Sequence, residues 1–381
     1  MRILHLNYDD VGNPWVGGGG AMRTHEIYAR LAARGHDCTV LTGSYPGAED
    51  RVVDNVRYRI AGKATTHLGS AIAYLLGAQV FLLRRASQWD VIIEDFSLFS
   101  PLLVPALSRT PSLVQMQLYA SDDLLGRFGP LTPLLRLSQR FYPRLYSHAL
   151  FLTPTLAQRW PQGHQRRYFV SMGIPEHYLE HPTETGDYLL YLGRLSGKSK
   201  GLDVLSEACR QLWKHRNDIR LVIAGRGPDE SAVKDLFADL SARYPGRLEF
   251  VGFVAGKQKA HLLANCRALV LPSREEGEGL CVIEAAAFGK PTLASDIPEL
   301  AYVATEGIGL DTSTGDFKSL AQGAEQLFDD AEGYAALSAR ARIWASDRTW
   351  EKKATEFEEV LEDVRRTSRR PLVRRHSVTA K

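Results

Sequence analysis

Cysteine is scarce in this sequence. Four thiols in 381 residues, Cys38, Cys209, Cys266 and Cys281, stand singly in apolar stretches. With no C-x-x-C and no paired histidine, the chain is expected to carry buried free thiols rather than a zinc site or a disulfide framework. No D-x-D occurs anywhere, so the paired carboxylates that hold a divalent ion across a diphosphate are missing. No window approaches the ~18 uninterrupted apolar residues of a membrane crossing. The opening MRILHLNYDD lacks the apolar stretch and small-residue cleavage site of a signal peptide, so a cytoplasmic product is expected.

Acidic residues are absent from one long stretch. From Leu124 to Pro175 there is no Asp or Glu, whereas Arg127, Arg136, Arg140, Arg144, Arg159, Arg166 and Arg167 are present. Within it LLRLSQRFYPRLY interleaves arginine with Leu, Phe and Tyr as an interfacial helix would, with Pro143 limiting its length. Two readings account for this: a helix with a buried apolar side and solvated arginines, or a face for an anionic lipid or a phosphate-bearing acceptor. Peripheral contact with an anionic membrane, at its inner face, is therefore one expectation. The end of the chain is also one-signed: RRTSRRPLVRRHSVTAK has seven basic residues and no acid, which leaves the body net negative beneath an overall charge of +3. Residues 367–381 are expected to form a solvated, disordered tail, the alternative being attraction to anionic lipid or nucleic acid; no nucleic-acid partner is expected for the protein.

What remains is an ordinary globular composition, 44% apolar and 24% charged, long enough for two domains of ~150–200 residues. RILHLNY reads as a strand, GGGG as a turn, and AMRTHEIYARLAAR as a helix with Met22, Ile27 and Leu31 at helical spacing and Gly35 at its end; DCTVLTG is the next strand. Strand-like runs recur at WDVIIED, SLVQMQLY and HALFLTP, with helical stretches between them. The first half therefore predicts a mostly parallel sheet covered on both faces. Around 173–188 the pattern lapses into Pro, Gly and charge, and the boundary is placed there. Alternation restarts with YLLYLG and runs through IRLVIAG, RLEFVGF, ALVLPS and PTLAS, a second doubly wound domain; ESAVKDLFADLSARY reads as one helix within it, and TWEKKATEFEEVLEDVRR as the last. The expected organisation is domain 1–175, domain 176–348, a returning helix 349–366, and the tail.

In open α/β sheets ligands gather beyond the carboxyl ends of the strands. Four strand-to-helix loops stand out there. GGGG, with Gly19 and Gly20, would let backbone approach a ligand at a helix N-terminus, or is a plain turn; it matches neither G-x-G-x-x-G nor G-x-x-x-x-G-K-[ST]. LGRLSGKSKGLDVL places Arg194 just after Gly193 and Lys200 just before a helix, two cations suited to a developing phosphate charge. IAGRGPDES, with Gly225 and Arg226, is a tight turn or a wall for a nucleobase. In SREEGEGLCVIEAAAFGKP, Glu276 lies on the loop and Glu284 about one turn inside a helix that begins near Leu280 and ends at Gly289. Carboxylates repel phosphate but accept paired hydrogen bonds from vicinal diols. Glu276 would hold a transferred sugar, the amides of Gly277, Glu278, Gly279 and Leu280 a diphosphate, and Glu284 a ribose.

With these elements in place, nearly the whole chain up to about residue 366 resembles the retaining glycosyltransferases of family four, which have the GT-B architecture of two Rossmann-like doubly wound domains facing a central cleft. The resemblance rests on Glu276-x7-Glu284, the Arg194/Lys200 pair, the loop with Gly19 and Gly20, GHDCTVLT, and LVIAGRGP. It implies an N-terminal domain that binds the acceptor and a C-terminal domain that binds a UDP- or GDP-linked sugar. Arg194 and Lys200 would hold the diphosphate, Glu276 the sugar, Glu284 the ribose, and the backbone near Phe253 and Val254 the base. The acceptor would be a sugar, a lipid-linked glycan or a small-molecule alcohol, and no metal or other cofactor is expected. Two departures are visible. Glu278 stands where the family usually has an aromatic, adding a carboxylate near donor or acceptor. Gln117 stands where the family has a histidine; it cannot act as an acid or base but can hydrogen-bond a sugar. A nucleotide-sugar epimerase or hydrolase would turn over donor without acceptor, and a non-catalytic scaffold would bind donor without releasing nucleoside diphosphate.

Overall fold

Short apolar runs pair in register into two separate sheets. In the computed structural model the described residues are 1–368, apart from 16, 17, 98–100, 118, 120–124, 126–128, 161 and 162. The tail expected from 367 onward lies almost entirely outside them. The chain packs as two units, Met1–Val170 together with the residues from Lys353 on, and Ser171–Lys352. The second unit thus starts five residues before the position 176 read from composition.

In the first unit the strands are β1 (Arg2–Leu6), β2 (Asp37–Gly43), β3 (Arg51–Val53), β4 (Val56–Ala61), β5 (Val91–Asp95), β6 (Ser112–Met116), β7 (His148–Phe151) and β8 (Arg166–Phe169). Their order is β3-β4-β2-β1-β5-β6-β7-β8, and every pair is parallel except β3 with β4. That antiparallel pair turns on Asp54 and Asn55, both at positive φ (46° and 61°), as a two-residue hairpin of mirror-image type demands. The sequence reading missed this hairpin because its turn lacks the usual glycine.

Helix Gly19–Ala33 starts two residues earlier than expected, so Gly19 and Gly20 form its first turn rather than a loop before it. Its inward stripe is Arg23, Ile27 and Leu31; Met22 faces out. Helix His67–Arg85 sends Ser70, Tyr74, Ala78 and Leu82 inward. It also begins the one described helix long and apolar enough to cross a bilayer, residues 67–88. A search for unbroken apolar runs overlooks it because His67, Ser70 and Gln79 interrupt the run. The final helix, Trp350–Ser368, sets Phe357 edge-on to Tyr28 at 5.8 Å and Glu358 against Arg34 at 2.6 Å.

In the second unit β9 (Tyr188–Leu192), β10 (Arg220–Ala224), β11 (Leu248–Gly252), β12 (Ala268–Leu271), β13 (Thr292–Ser295) and β14 (Gly309–Thr312) form a wholly parallel sheet in the order β11-β10-β9-β12-β13-β14. Leu189, Tyr191, Leu221, Ile223 and Val270 share one core with helices Leu202–Leu212 and Phe317–Asp329. The predicted helix over 230–244 is two, Glu230–Leu236 and Ala238–Arg243, the break falling at the buried Phe237, whose amide donates to Lys234 O three residues back at 3.2 Å. Connections run outward in opposite directions from β9 and β12. The carboxyl ends of strands at such a reversal are where this sheet type collects ligands.

Candidate functional site

The loops after β9 and β12 meet at that reversal. Gly201 lies at φ +65°, and a Cβ on it would sit 1.8 Å from the Pro272 carbonyl oxygen, so only glycine lets the two loops touch. The backbone amide of Arg274 donates to Ser199 O at 2.9 Å, and its guanidinium grips both Asp203 oxygens at 2.8 Å. These contacts fix the loop that carries Lys200 against the loop that carries Glu276.

Lys200 Nζ lies 2.6 Å from Glu276 Oε1 and 3.2 Å from Glu275 O. Ser273 Oγ donates to the same Glu276 oxygen at 2.8 Å. Among the described residues Oε2 of Glu276 has no partner, and an ammonium with two of its three N–H groups engaged keeps one for an anion. Both side chains are largely but not wholly covered. Beside them helix Leu280–Ala287 begins at Gly279, which holds φ +74°, and no side chain caps it. Its first amides are left to an outside acceptor.

Glu284 lies inside that helix and is buried, with Oε1 2.5 Å from Lys259 Nζ. Burial pushes the Glu284 carboxyl above its ordinary value, while Lys259 pulls it back. For Lys259, burial is the largest single influence and would lower the ammonium, but the Glu284 charge and hydrogen bond, together with Tyr178, outweigh it and the net direction is up. The sequence reading found Glu284 but not its partner. Glu278, expected to face donor or acceptor, instead turns into the unit: its Oε2 accepts from Met172 N at 2.7 Å, and its backbone oxygen accepts from Tyr302 Oη at 2.5 Å.

The other predicted positions are distributed around this core. Arg194 is exposed, its backbone oxygen held by Tyr191 Oη at 2.8 Å. The Gly225–Arg226 turn packs against it: a Cβ on Gly225, at φ +148°, would stand 1.8 Å from Gly193 O, and Leu195 N donates to Arg226 O at 3.0 Å. Gly225→Ala should lower stability by roughly 1–3 kcal/mol and weaken nucleotide binding, because the loop after β9 must move. A melting temperature equal to wild type would show that the turn yields without disturbing the site. Phe253 is exposed and Val254 buried just after β11.

In the first unit Gln117 Nε2 donates to Asp95 Oδ2 at 2.7 Å. Its Oε1 stands 2.6 Å from where a Cβ on Gly20 would be, so a side chain there would have to displace the Gln117 amide. Asp95 Oδ1 also accepts from Gln115 Nε2 at 2.5 Å, and Gln115 Oε1 accepts from the buried Arg23 at 2.7 Å. Arg23, Asp95 and Gln115 were not singled out from the sequence. An arginine in step with Ile27 and Leu31 on an apolar stripe was the signal that could have found the first of them.

Comparison with known proteins follows the same division. Residues 18–168 match the family described as Glycosyl transferase 4-like domain, and residues 179–344 match Glycosyl transferases group 1. Glycogen synthase of Mycobacterium tuberculosis is 26% identical over 423 residues, covering 97% of each chain. The D-inositol 3-phosphate glycosyltransferase of Corynebacterium aurimucosum is 29% identical over 199 residues, 51% of this chain and 45% of that one. Among solved structures, sucrose-phosphate synthase of Thermosynechococcus elongatus superposes with a TM-score of 0.79 at 18% identity, over 96% of this chain and 100% of that one. HepE of Anabaena in complex with UDP gives 0.73 at 18%, over 95% and 100%.

Proposed function

Since this chain belongs to the GT-B glycosyltransferases, we propose that it moves a sugar from a nucleotide-diphosphate sugar to an acceptor hydroxyl with retention of configuration and without a metal ion. The observation that carries the reading is the Lys200–Glu276 pair, 2.6 Å apart at the sheet's reversal point beside an uncapped helix start. That group of side chains and amides suits a diphosphate linked to a polyol. Lys200, Arg194 and the first-turn amides neutralise the diphosphate, and Glu276 Oε2 accepts from the sugar hydroxyls. Glu284 takes the ribose diol.

Retention follows when the acceptor oxygen attacks the anomeric carbon on the face the diphosphate leaves. The carbon–oxygen bond to phosphate breaks, the bond to the acceptor forms, and the acceptor proton passes to the departing phosphate oxygen. No protein base is required, which accords with Gln117, an amide that can neither take nor give that proton. Developing charge on the diphosphate is met by fixed cations rather than by a divalent ion.

A thermal-shift screen of nucleoside diphosphates and nucleotide sugars, followed by a diphosphate-release assay with candidate acceptors, tests the proposal. A bound nucleotide at ~100 times its Kd should stabilise the protein by about 2.7 kcal/mol. Release should require an acceptor and continue undiminished in EDTA. Release at full rate without any acceptor would overturn transfer, and loss in EDTA restored by a divalent ion would overturn metal independence.

A further inference from the structure

The first unit carries an apolar surface that its own fold leaves open. On helix His67–Arg85 the outward positions are Leu68, Ile72, Leu76, Val80 and Leu83, with Leu68 74% exposed. Steps of three and four residues place them on one stripe, opposite the buried Tyr74, Ala78 and Leu82. Helix Thr132–Phe141 repeats the arrangement. Leu134, Leu137 and Phe141 face out, flanked by exposed Leu131 and Leu145, while Leu135 and Gln139 are buried.

The two helices cover the same face of the sheet. One is the crossover from β4 to β5 and the other from β6 to β7, both advancing in the same direction, and right-handed connections then put both on one side. Buried Glu94 lies beneath them: Tyr142, just after the second helix, donates to it, and its charge helps raise Tyr74 of the first. Ten of the large exposed apolar side chains among the described residues therefore belong to two helices on one face of the sheet and their flanks. Exposed apolar side chains concentrated in this way mark an interaction surface.

Charge identifies what covers it. Neither helix contains an acid, and the second lies in the stretch without Asp or Glu from Leu124 to Pro175. Exposed Arg84 and Arg85 end the first stripe, and Arg136 and Arg140 run along the flank of the second. Arg144 lies over the Phe141 ring at 5.1 Å. A protein partner would need an acidic rim around a broad apolar centre. An anionic bilayer offers both features at once, headgroups for the arginines and acyl chains for Leu and Phe. The helix over 67–88 has the length and apolarity of a membrane crossing, but its Tyr74 and Leu82 side are committed to the core, so it lies along a surface.

We propose that this face docks on an anionic membrane, with the apolar stripes of both helices entering the headgroup boundary and their arginines pairing with acidic lipid. The inference goes beyond sugar transfer and stands apart from it, because the donor groups lie in the second unit. The test is co-sedimentation of the full chain with phosphatidylcholine vesicles, with and without ~30% phosphatidylglycerol. Leu137→Asp/Phe141→Asp, Leu76→Asp/Val80→Asp and Arg84→Glu/Arg140→Glu are compared with wild type and with Ile343→Asp, an exposed position in the second unit.

Binding to anionic vesicles at least tenfold above neutral ones is expected. Each of the three face variants should reduce it at least tenfold with an unchanged melting temperature, and Ile343→Asp should leave it intact. Equal absence of binding from both vesicle types overturns the proposal. So does binding that survives all three face variants, which would assign it to the basic tail, and so does a self-association abolished by Leu137→Asp/Phe141→Asp without vesicle binding. The nucleotide-induced thermal shift, measured on the same variants, should not change; its loss throughout would indict the donor reading instead.

Discussion

Lys200→Ala should lower diphosphate release ~10²–10³-fold, the equivalent of ~3–4 kcal/mol of transition-state stabilisation. The ammonium is positioned by the Glu276 carboxylate at 2.6 Å and the Glu275 carbonyl at 3.2 Å, so it pays little reorganisation when charge develops on the leaving diphosphate. Donor binding should weaken far less than turnover, because Arg194 and the amides around Gly279 still meet the ground-state charge. One complication is built into the site: without Lys200 the Glu276 carboxylate loses its cation and repels the donor. Lys200→Ala/Glu276→Gln removes that repulsion, and it should recover donor affinity while turnover stays low. Near-normal turnover in Lys200→Ala would remove the lysine from the mechanism, and recovery of turnover in the double variant would reduce its role to shielding Glu276.

Much of this site could be read from the sequence because its parts are local. Lys200 precedes its helix by two residues, and the eight-residue separation of Glu276 and Glu284 follows from one helix start at Leu280. Parallel strands buried on both faces leave apolar runs, so ten of the fourteen strands, β1, β9 and β12 among them, were plain as well. What was hidden is made by segments far apart in the chain. Lys259 and Glu284 are 25 residues apart, and Arg23 meets Gln115 from 92 residues away. Glu278 illustrates the same limit: its place in an acidic loop suggested a ligand-facing carboxylate, yet Met172 N, 106 residues distant, claims it. Gly20 read as a glycine that lets backbone approach a ligand or as a plain turn residue, and Gln117 standing over it, 97 residues on, was not visible.

The pair formed by Glu284 and Lys259 should make the largest demand on stability. Glu284→Ala strands a mostly buried ammonium, and breaking a buried pair from one side costs ~3–5 kcal/mol. In a protein with units of this size that corresponds to a melting temperature lower by on the order of 10 °C. Lys259→Met/Glu284→Met replaces both charges by apolar groups of similar volume and should recover most of that loss. Nucleotide binding should not recover with it, since a thioether is only a weak acceptor and cannot take the paired hydrogen bonds of the ribose diol. The titration of the pair separates the two contributions. Glu284 is raised by burial, so between its ordinary value of 4.5 and its folded value the native state holds a proton that the unfolded chain has released; its contribution to stability therefore falls as pH rises through that window. Lys259 is raised on balance, so its contribution is complete below the unfolded lysine value and is lost as pH rises through the folded one. The difference in stability between wild type and the double variant should follow both limbs, and a double variant that binds nucleotide as tightly as wild type would show that the ribose is held elsewhere.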